Sequence, residues 1–155
     1  MKRPRSDENP LITVRRAAMN LLARREQSFA ELQQKLTRKF PDLDLETVIL
    51  PALELLREEN LQSDERFLES YIRHRMHAGM GPLRIDMELG QKGVSSSQAR
   101  AAIYHEDNDW VALCQEAMEK RFSEASPADM AEKQKRYRFL QQRGFDSEQI
   151  RQVLG

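Results

Sequence analysis

The chain has a single cysteine, Cys114, so no internal disulfide can form. That fits a reducing compartment. Cys114 sits in Val111-Ala-Leu-Cys-Gln, among apolar neighbours, where a buried inert thiol is expected. Aromatic residues make up only 6% of the chain and charged residues 32%, so the core available per residue is thin and aliphatic. Such a core suits small helical units stacked in a row better than one large globule. No run of about eighteen apolar residues occurs, which excludes a membrane-spanning helix. The first residues are basic and then acidic, with no apolar stretch after them, so no signal peptide is expected and a cytoplasmic location is. No segment alternates polar and apolar residues over a useful length, which argues against β-strands.

Signatures of chemistry are missing too. Gly79-Met-Gly81 is too short for a phosphate loop and no Lys-Ser/Thr follows it. No Ser-His-Asp, Cys-His or paired-carboxylate arrangement can be picked out, so an enzyme is not supported and no catalytic residue is assigned. His74 and His77 are three apart on one predicted helix, but no third ligand falls in pattern with them. They read as solvated histidines, and no metal or cofactor is expected. Asp107-Asn-Asp109 begins like a calcium loop but lacks the glycine and the closing glutamate. It reads as a helix N-terminus.

Net charge is zero, yet the charge is patterned. Residues 1–25 carry seven Lys/Arg against two acids, residues 94–132 three against eight, and residues 133–155 six against two. Basic ends around a neutral-to-acidic middle would let each end meet an anionic surface.

The most informative stretch is Gly81-Pro-Leu-Arg-Ile-Asp-Met-Glu-Leu-Gly-Gln-Lys-Gly93, which reads as one complete short helix. Gly81 serves as N-cap, Pro82 suits the first helical position, and Gly93 supplies a left-handed C-terminal residue. Ile85 and Leu89 share one face, and Leu83 and Met87 form a second apolar row. A surface this wide predicts contact with two neighbouring helices.

The ending of this helix recurs. Leu89-x-x-Lys92-Gly93-Val94 returns as Leu140-x-x-Arg143-Gly144-Phe145, with a looser copy at Leu36-x-x-Lys39-Phe40. Ala99, Ala102 and Ile103 follow Leu89 at offsets 10, 13 and 14, and Ile150, Val153 and Leu154 follow Leu140 at the same offsets. Leu45, Val48 and Ile49 follow Leu36 one residue closer. A period of about fifty residues points to a repeat architecture, one supersecondary unit per repeat.

Helix starts mark out the units. Asn9-Pro10, Ser28-x-x-Glu31, Ser63-Asp64-Glu65, Ser95-x-x-Gln98, Ser126-Pro127 and Asp146-x-x-Gln149 each pair a cap with a favourable first turn. Pro51 predicts a kink or break within a helix running from about Asp44 to Asn60. The fold is therefore read as all-α, with a flexible basic tail over residues 1–8 and three-helix repeats over 9–62, 63–106 and 107–155. Stacked repeats with polar end units need no second copy, so a monomer is expected.

The basic residues are the remaining candidates for function. Lys133, Lys135, Arg136 and Arg138 cluster within six positions of one helix, able to lie along a phosphate backbone or an acidic protein face. Charge runs more often mark a solvated face, but Tyr137, Phe139 and Leu140 bury only one side here. Arg66, Arg73 and Arg75 form a weaker set.

These residues resemble the RecX family of bacterial recombination regulators. The likeness lies in Asp64-Glu-Arg-Phe67, Tyr71-Ile-x-x-Arg75, Gly79-x-Gly-Pro-x-Arg-Ile85, Glu88-Leu89-x-x-Lys92-Gly93 and Phe139-Leu-x-x-Arg-Gly-Phe145. Ala18-x-x-Leu21-Leu22 and Ser28-x-x-Glu31-Leu32-x-x-Lys35-Leu36 agree as well. The first unit departs in having Phe40-Pro41 where the others have glycine. The resemblance implies an elongated, curved array of three-helix repeats. It implies binding to the RecA recombinase, free and as its filament on single-stranded DNA, with inhibition of ATPase, strand exchange and coprotease activity. It also implies weak DNA binding, and neither catalysis nor a cofactor. On that footing Arg66, Arg73, Arg75, Arg84 and Lys92 are expected to face the partner, with Lys133, Lys135 and Arg138 as a second contact. Phe67, Tyr71, Gly81, Pro82, Ile85, Leu89, Gly93, Leu140, Gly144 and Phe145 are assigned to the fold. The rival readings are a helix-turn-helix-like nucleic-acid binder and a generic helical-repeat adaptor. Against the former stand the zero net charge and the acidic Glu54, Glu58 and Glu59.

Overall fold

The computed structural model describes residues 8–123 and 125–155. The expected tail thus lies outside the described residues except for Glu8, whose carboxylate pairs with Arg16 at 2.7 Å. Among the described residues there are nine α-helices and no strand: α1 (Pro10–Arg24), α2 (Phe29–Lys39), α3 (Leu50–Glu58), α4 (Asp64–His77), α5 (Pro82–Gln91), α6 (Ser96–Ile103), α7 (Trp110–Arg121), α8 (Met130–Arg143) and α9 (Ser147–Leu154). They form three-helix repeats in tandem. The chain divides into two compact units, one running through residue 68 and including 92–94, the other holding 69–91 and 95–155.

In the first unit, Asn9 caps α1 by accepting from the Leu11 N–H at 3.0 Å, with Pro10 at the first position. Ser28 and Glu31 form the expected capping box at the start of α2. Val14, Ala18, Leu32, Leu36, Ile49, Leu53 and Leu56 make the fully buried heart of this unit. The break expected at Pro51 takes a definite form. Pro51 has no N–H, and its ring would crowd the carbonyl four residues back. The turn before it, Leu45–Ile49, is accordingly widened to π-type bonds: the Ile49 N–H donates to the Asp44 carbonyl at 3.2 Å and the Leu50 N–H to that of Leu45. At the far end of α3, Asn60 takes a left-handed φ of 61° and the Leu61 N–H closes on the Leu56 carbonyl at 2.9 Å.

In the second unit, α5 buries Pro82, Ile85 and Leu89. Trp110 donates its indole N–H to the Ile103 carbonyl at 3.0 Å, and Asn108 closes the end of α6 through the Ala102 and Ile103 carbonyls. Asp109 caps α7, as expected for a helix start at Asp107 to Asp109. Cys114 is fully buried, and burial pushes its thiol up to about 12. Helix α8 does not begin at Ser126-Pro127. It begins at Met130, where Asp129 accepts from the Glu132 N–H at 2.9 Å while Glu132 accepts from the Ala128 N–H. Asp129 has Glu132 three residues on, whose carboxylate takes the Ala128 N–H just outside the helix, whereas Ser126 has Asp129 in that place.

The recurring Leu-x-x-Lys/Arg-Gly ending is a lock between successive repeats. At the end of α8, Gly144 has φ 100°, and the Gly81 and Leu83 N–H groups donate to the Arg143 and Gly144 carbonyls at 2.8 and 2.9 Å. A Cβ on Gly81 would lie 2.4 Å from the Gly144 carbonyl carbon. Within the first compact unit, the Lys92-Gly93 turn meets the start of α2 in the same way. The Ser28 hydroxyl donates to the Lys92 carbonyl at 2.9 Å, and a Cβ on Gly93 would lie 2.5 Å from Ala30 Cβ. Each turn thus seats on the N-terminus of the preceding repeat's middle helix. The first repeat ends its middle helix differently, at Phe40-Pro41, with Phe40 buried and no glycine.

Candidate partner-binding surface

Most of the arginines expected to face a partner are held by carboxylates of the chain itself. Arg75 donates from Nε and one terminal nitrogen to the two oxygens of Glu88, both at 2.9 Å, and Tyr71 donates its hydroxyl to the same carboxylate at 3.1 Å. Arg84 reaches Glu88 at 3.7 Å and donates to the Gln142 carbonyl at 3.4 Å. Arg66 binds Glu26 at 3.1 Å and clasps both the side-chain and main-chain oxygens of Asn60, holding the left-handed end of α3. Lys92 reaches Glu31 at 3.3 Å.

Glu31 is itself a hub. Only 7% exposed, it takes Arg25 at 2.9 Å, the Ser28 N–H, Lys92 and, more distantly, Lys35. Burial alone would raise its carboxyl. The bonds from Arg25 and Ser28, with the charges of Arg25 and Lys92, outweigh burial and hold it below the usual glutamate range.

The basic cluster on α8 divides in two. Arg136 is 2% exposed: it donates to the Ala125 carbonyl at 2.8 Å and to Glu132 at 2.9 Å, and lies 5.3 Å over the Phe122 ring. The inward side expected to hold Tyr137, Phe139 and Leu140 is buried chiefly by Arg136 and Leu140, with Tyr137 and Phe139 half-buried. Arg136 lies four residues before Leu140 and therefore on its face, a spacing that the charge count hid. Glu132 is held below its usual range by the Ala128 N–H and by Arg136.

Lys135 and Arg138 are exposed, Lys133 is half-buried, and Arg73 is exposed on α4. The side chains of these four carry no hydrogen bond or ion pair among the described residues. His74 and His77 are also exposed on α4. Lys135, Arg138 and Gln142 recur at helical spacing on the outward side of α8. The four carboxylates borne by the three middle helices, Glu31, Asp86, Glu88 and Glu132, are each paired with an arginine. The outward sides of α2, α5 and α8 therefore carry no free acid.

Another expectation is corrected on α5. Its second apolar row does not meet a neighbouring helix: Leu83 is 51% exposed and Met87 59%. Pro82, Ile85 and Leu89 already fill the one buried face.

These features define a tandem helical-repeat protein whose middle helices each present one surface to solvent. Family models for the second and third three-helix domains of RecX match residues 63–103 and 107–154. The regulatory protein RecX of Pseudomonas entomophila (strain L48) is 42% identical over 144 residues, covering 92% of this chain and 90% of its own. That of Halorhodospira halophila (strain DSM 244 / SL1) is 41% identical over 138 residues, covering 89% and 84%. The crystal structure of RecX from Lactobacillus salivarius superimposes with a TM-score of 0.76 at 26% identity, covering 93% of this chain and 94% of that one. The chain belongs to the RecX family of regulatory proteins. No helix among the described residues is long and apolar enough to cross a membrane.

Proposed function

We propose that this protein is a negative modulator of the RecA recombinase, binding RecA and its filament on single-stranded DNA and lowering ATPase, strand exchange and coprotease activity. The observation that carries this reading is the 42% identity to a regulatory protein RecX across 92% of the chain. The surface supports it. The uncommitted cations Arg73, Lys133, Lys135 and Arg138 form the contact set toward an anionic partner, while Arg66, Arg75, Arg84 and Lys92 shape the elements that carry them. No free carboxylate opposes the cations on the outward side of α8. That arrangement also favours a direct, weak contact with DNA phosphates beside the protein contact. Titrating the protein into RecA on single-stranded DNA at constant salt tests the reading, with hydrolysis expected to fall. Unchanged hydrolysis at every concentration overturns it and leaves an adaptor for another partner in front.

A further inference from the structure

The three middle helices occupy one register, so their outward residues can be compared position by position. Counting from the buried leucines Leu36, Leu89 and Leu140, Leu83 corresponds to Ala30 and Gln134, Met87 to Gln34 and Arg138, and Gly90 to Thr37 and Gln141. In the first and third repeats these positions are small, amide, hydroxyl or cationic. In the second they are leucine, methionine and glycine, at helical spacing and open to solvent. The sibling helices fold without a large apolar side chain at any of these positions, so the repeat does not require one.

We infer that the Leu83–Met87–Gly90 stripe of α5 is the apolar anchor through which this protein grips a RecA protomer, seated against an apolar patch of that protein. This rests on the reading above and adds the site. Charge selects the occupant. The ionised groups flanking the stripe are already paired within the chain, Glu88 with Arg75 at 2.9 Å and with Arg84 at 3.7 Å, and Asp86 with Arg100 at 3.3 Å. A phosphate backbone finds no unpaired cation beside the stripe, whereas an apolar protein surface meets a rim whose charges are already engaged with one another. A Cβ at Gly90 would meet nothing within 4 Å, so a partner's backbone can approach closely at the end of the stripe. Area argues against a second copy. Two large side chains are far short of the ~800 Å² per partner that a stable dimer buries. They suit an anchor within a larger contact whose remainder is polar. Helices α5 and α8 then divide the work, one gripping protein and the other meeting phosphate.

The test writes the third repeat's residues into the second, with the double substitution Leu83→Gln and Met87→Arg. Helix α8 carries Gln134 and Arg138 at these positions, so folding is expected to survive. The half-inhibitory concentration against RecA ATPase should rise about tenfold or more, the scale of losing an interface anchor. In the unaltered protein, the Met87 methyl resonance should shift or broaden when RecA is added, while exposed Met130 serves as the control. Inhibition by both forms alike, with a silent Met87 methyl, overturns the inference and leaves the regulatory reading standing. Failure of the unaltered protein to inhibit overturns both. A dimer of this chain that the substitutions abolish, with inhibition intact, assigns the stripe to a second copy instead and overturns the inference.

Discussion

Glu31 and Arg136 show how a charged side chain becomes part of the interior. Glu31 was legible only as the third residue of a capping box, yet it also gathers Arg25 and Lys92. Because its folded carboxyl is held below the usual range, its contribution to stability is present above the ordinary glutamate pKa and fades as pH falls through the lower folded value. Glu31→Gln should lower stability near neutral pH by about 1–3 kcal/mol, the scale of hydrogen bonds to a charged group. It should also shrink the loss of stability on acidification, as urea unfolding at a series of pH values would report. An acid limb as steep as that of the parent would remove Glu31 as its source. For Arg136, the alanine variant leaves the Ala125 carbonyl and Glu132 without their donor. Glu132 remains partly solvated, so the cost should be about 1–3 kcal/mol rather than that of a fully buried broken pair. Chemical denaturation would measure it, and no loss would mean that water replaces the guanidinium freely.

At the scale of the element, the repeated Leu-x-x-Lys/Arg-Gly ending was readable in the sequence, but its purpose was not. A motif read along one helix shows a left-handed stop. That the stop seats on a different helix depends on Gly81, some sixty residues from Gly144, and no periodicity brings those two together. Two alanine substitutions separate lock from helix. Gly144→Ala must hold φ at 100° and place a Cβ 2.4 Å from Arg84 Cβ and 2.7 Å from its backbone nitrogen. The left-handed strain alone costs about 1–2 kcal/mol, and the clash adds to it. Gly90→Ala, in the last turn of α5 with open space around it, should instead stabilise, by at most the ~0.5–1 kcal/mol of a mid-helix site. Thermal unfolding of the pair should therefore move in opposite directions. A tolerated Gly144→Ala would mean that the two repeats close without this contact. The same limit explains Leu83 and Met87. Helical spacing showed that they share a face, but it could not show whether another element covers that face.

Across the whole molecule, zero net charge conceals a sorting of acids from bases. Free carboxylates such as Glu54, Glu58, Glu65 and Glu69 stand exposed on α3 and α4, whereas the acids of the middle helices are consumed by arginines. The repeat order, helix inventory and basic cluster were all legible from spacing and caps. Which cations remain free was not, because that depends on carboxylates reached through space, such as Glu26 for Arg66 and Glu88 for Arg75. The distinction yields a prediction that separates surface from scaffold. Lys135 and Arg138 carry no ion pair among the described residues, so replacing both with alanine should leave the unfolding midpoint in place, unlike Arg136→Ala. If each meets one phosphate of the filament's DNA, each neutralised phosphate releases counterions. The slope of log affinity against log salt should then become shallower by about one per residue. Filament binding measured at several salt concentrations, for the parent and for the Lys135→Ala/Arg138→Ala variant, reads that slope directly. Weaker binding with an unchanged slope would place these cations against protein rather than phosphate. Unchanged binding at every salt concentration would leave α8 outside the contact altogether.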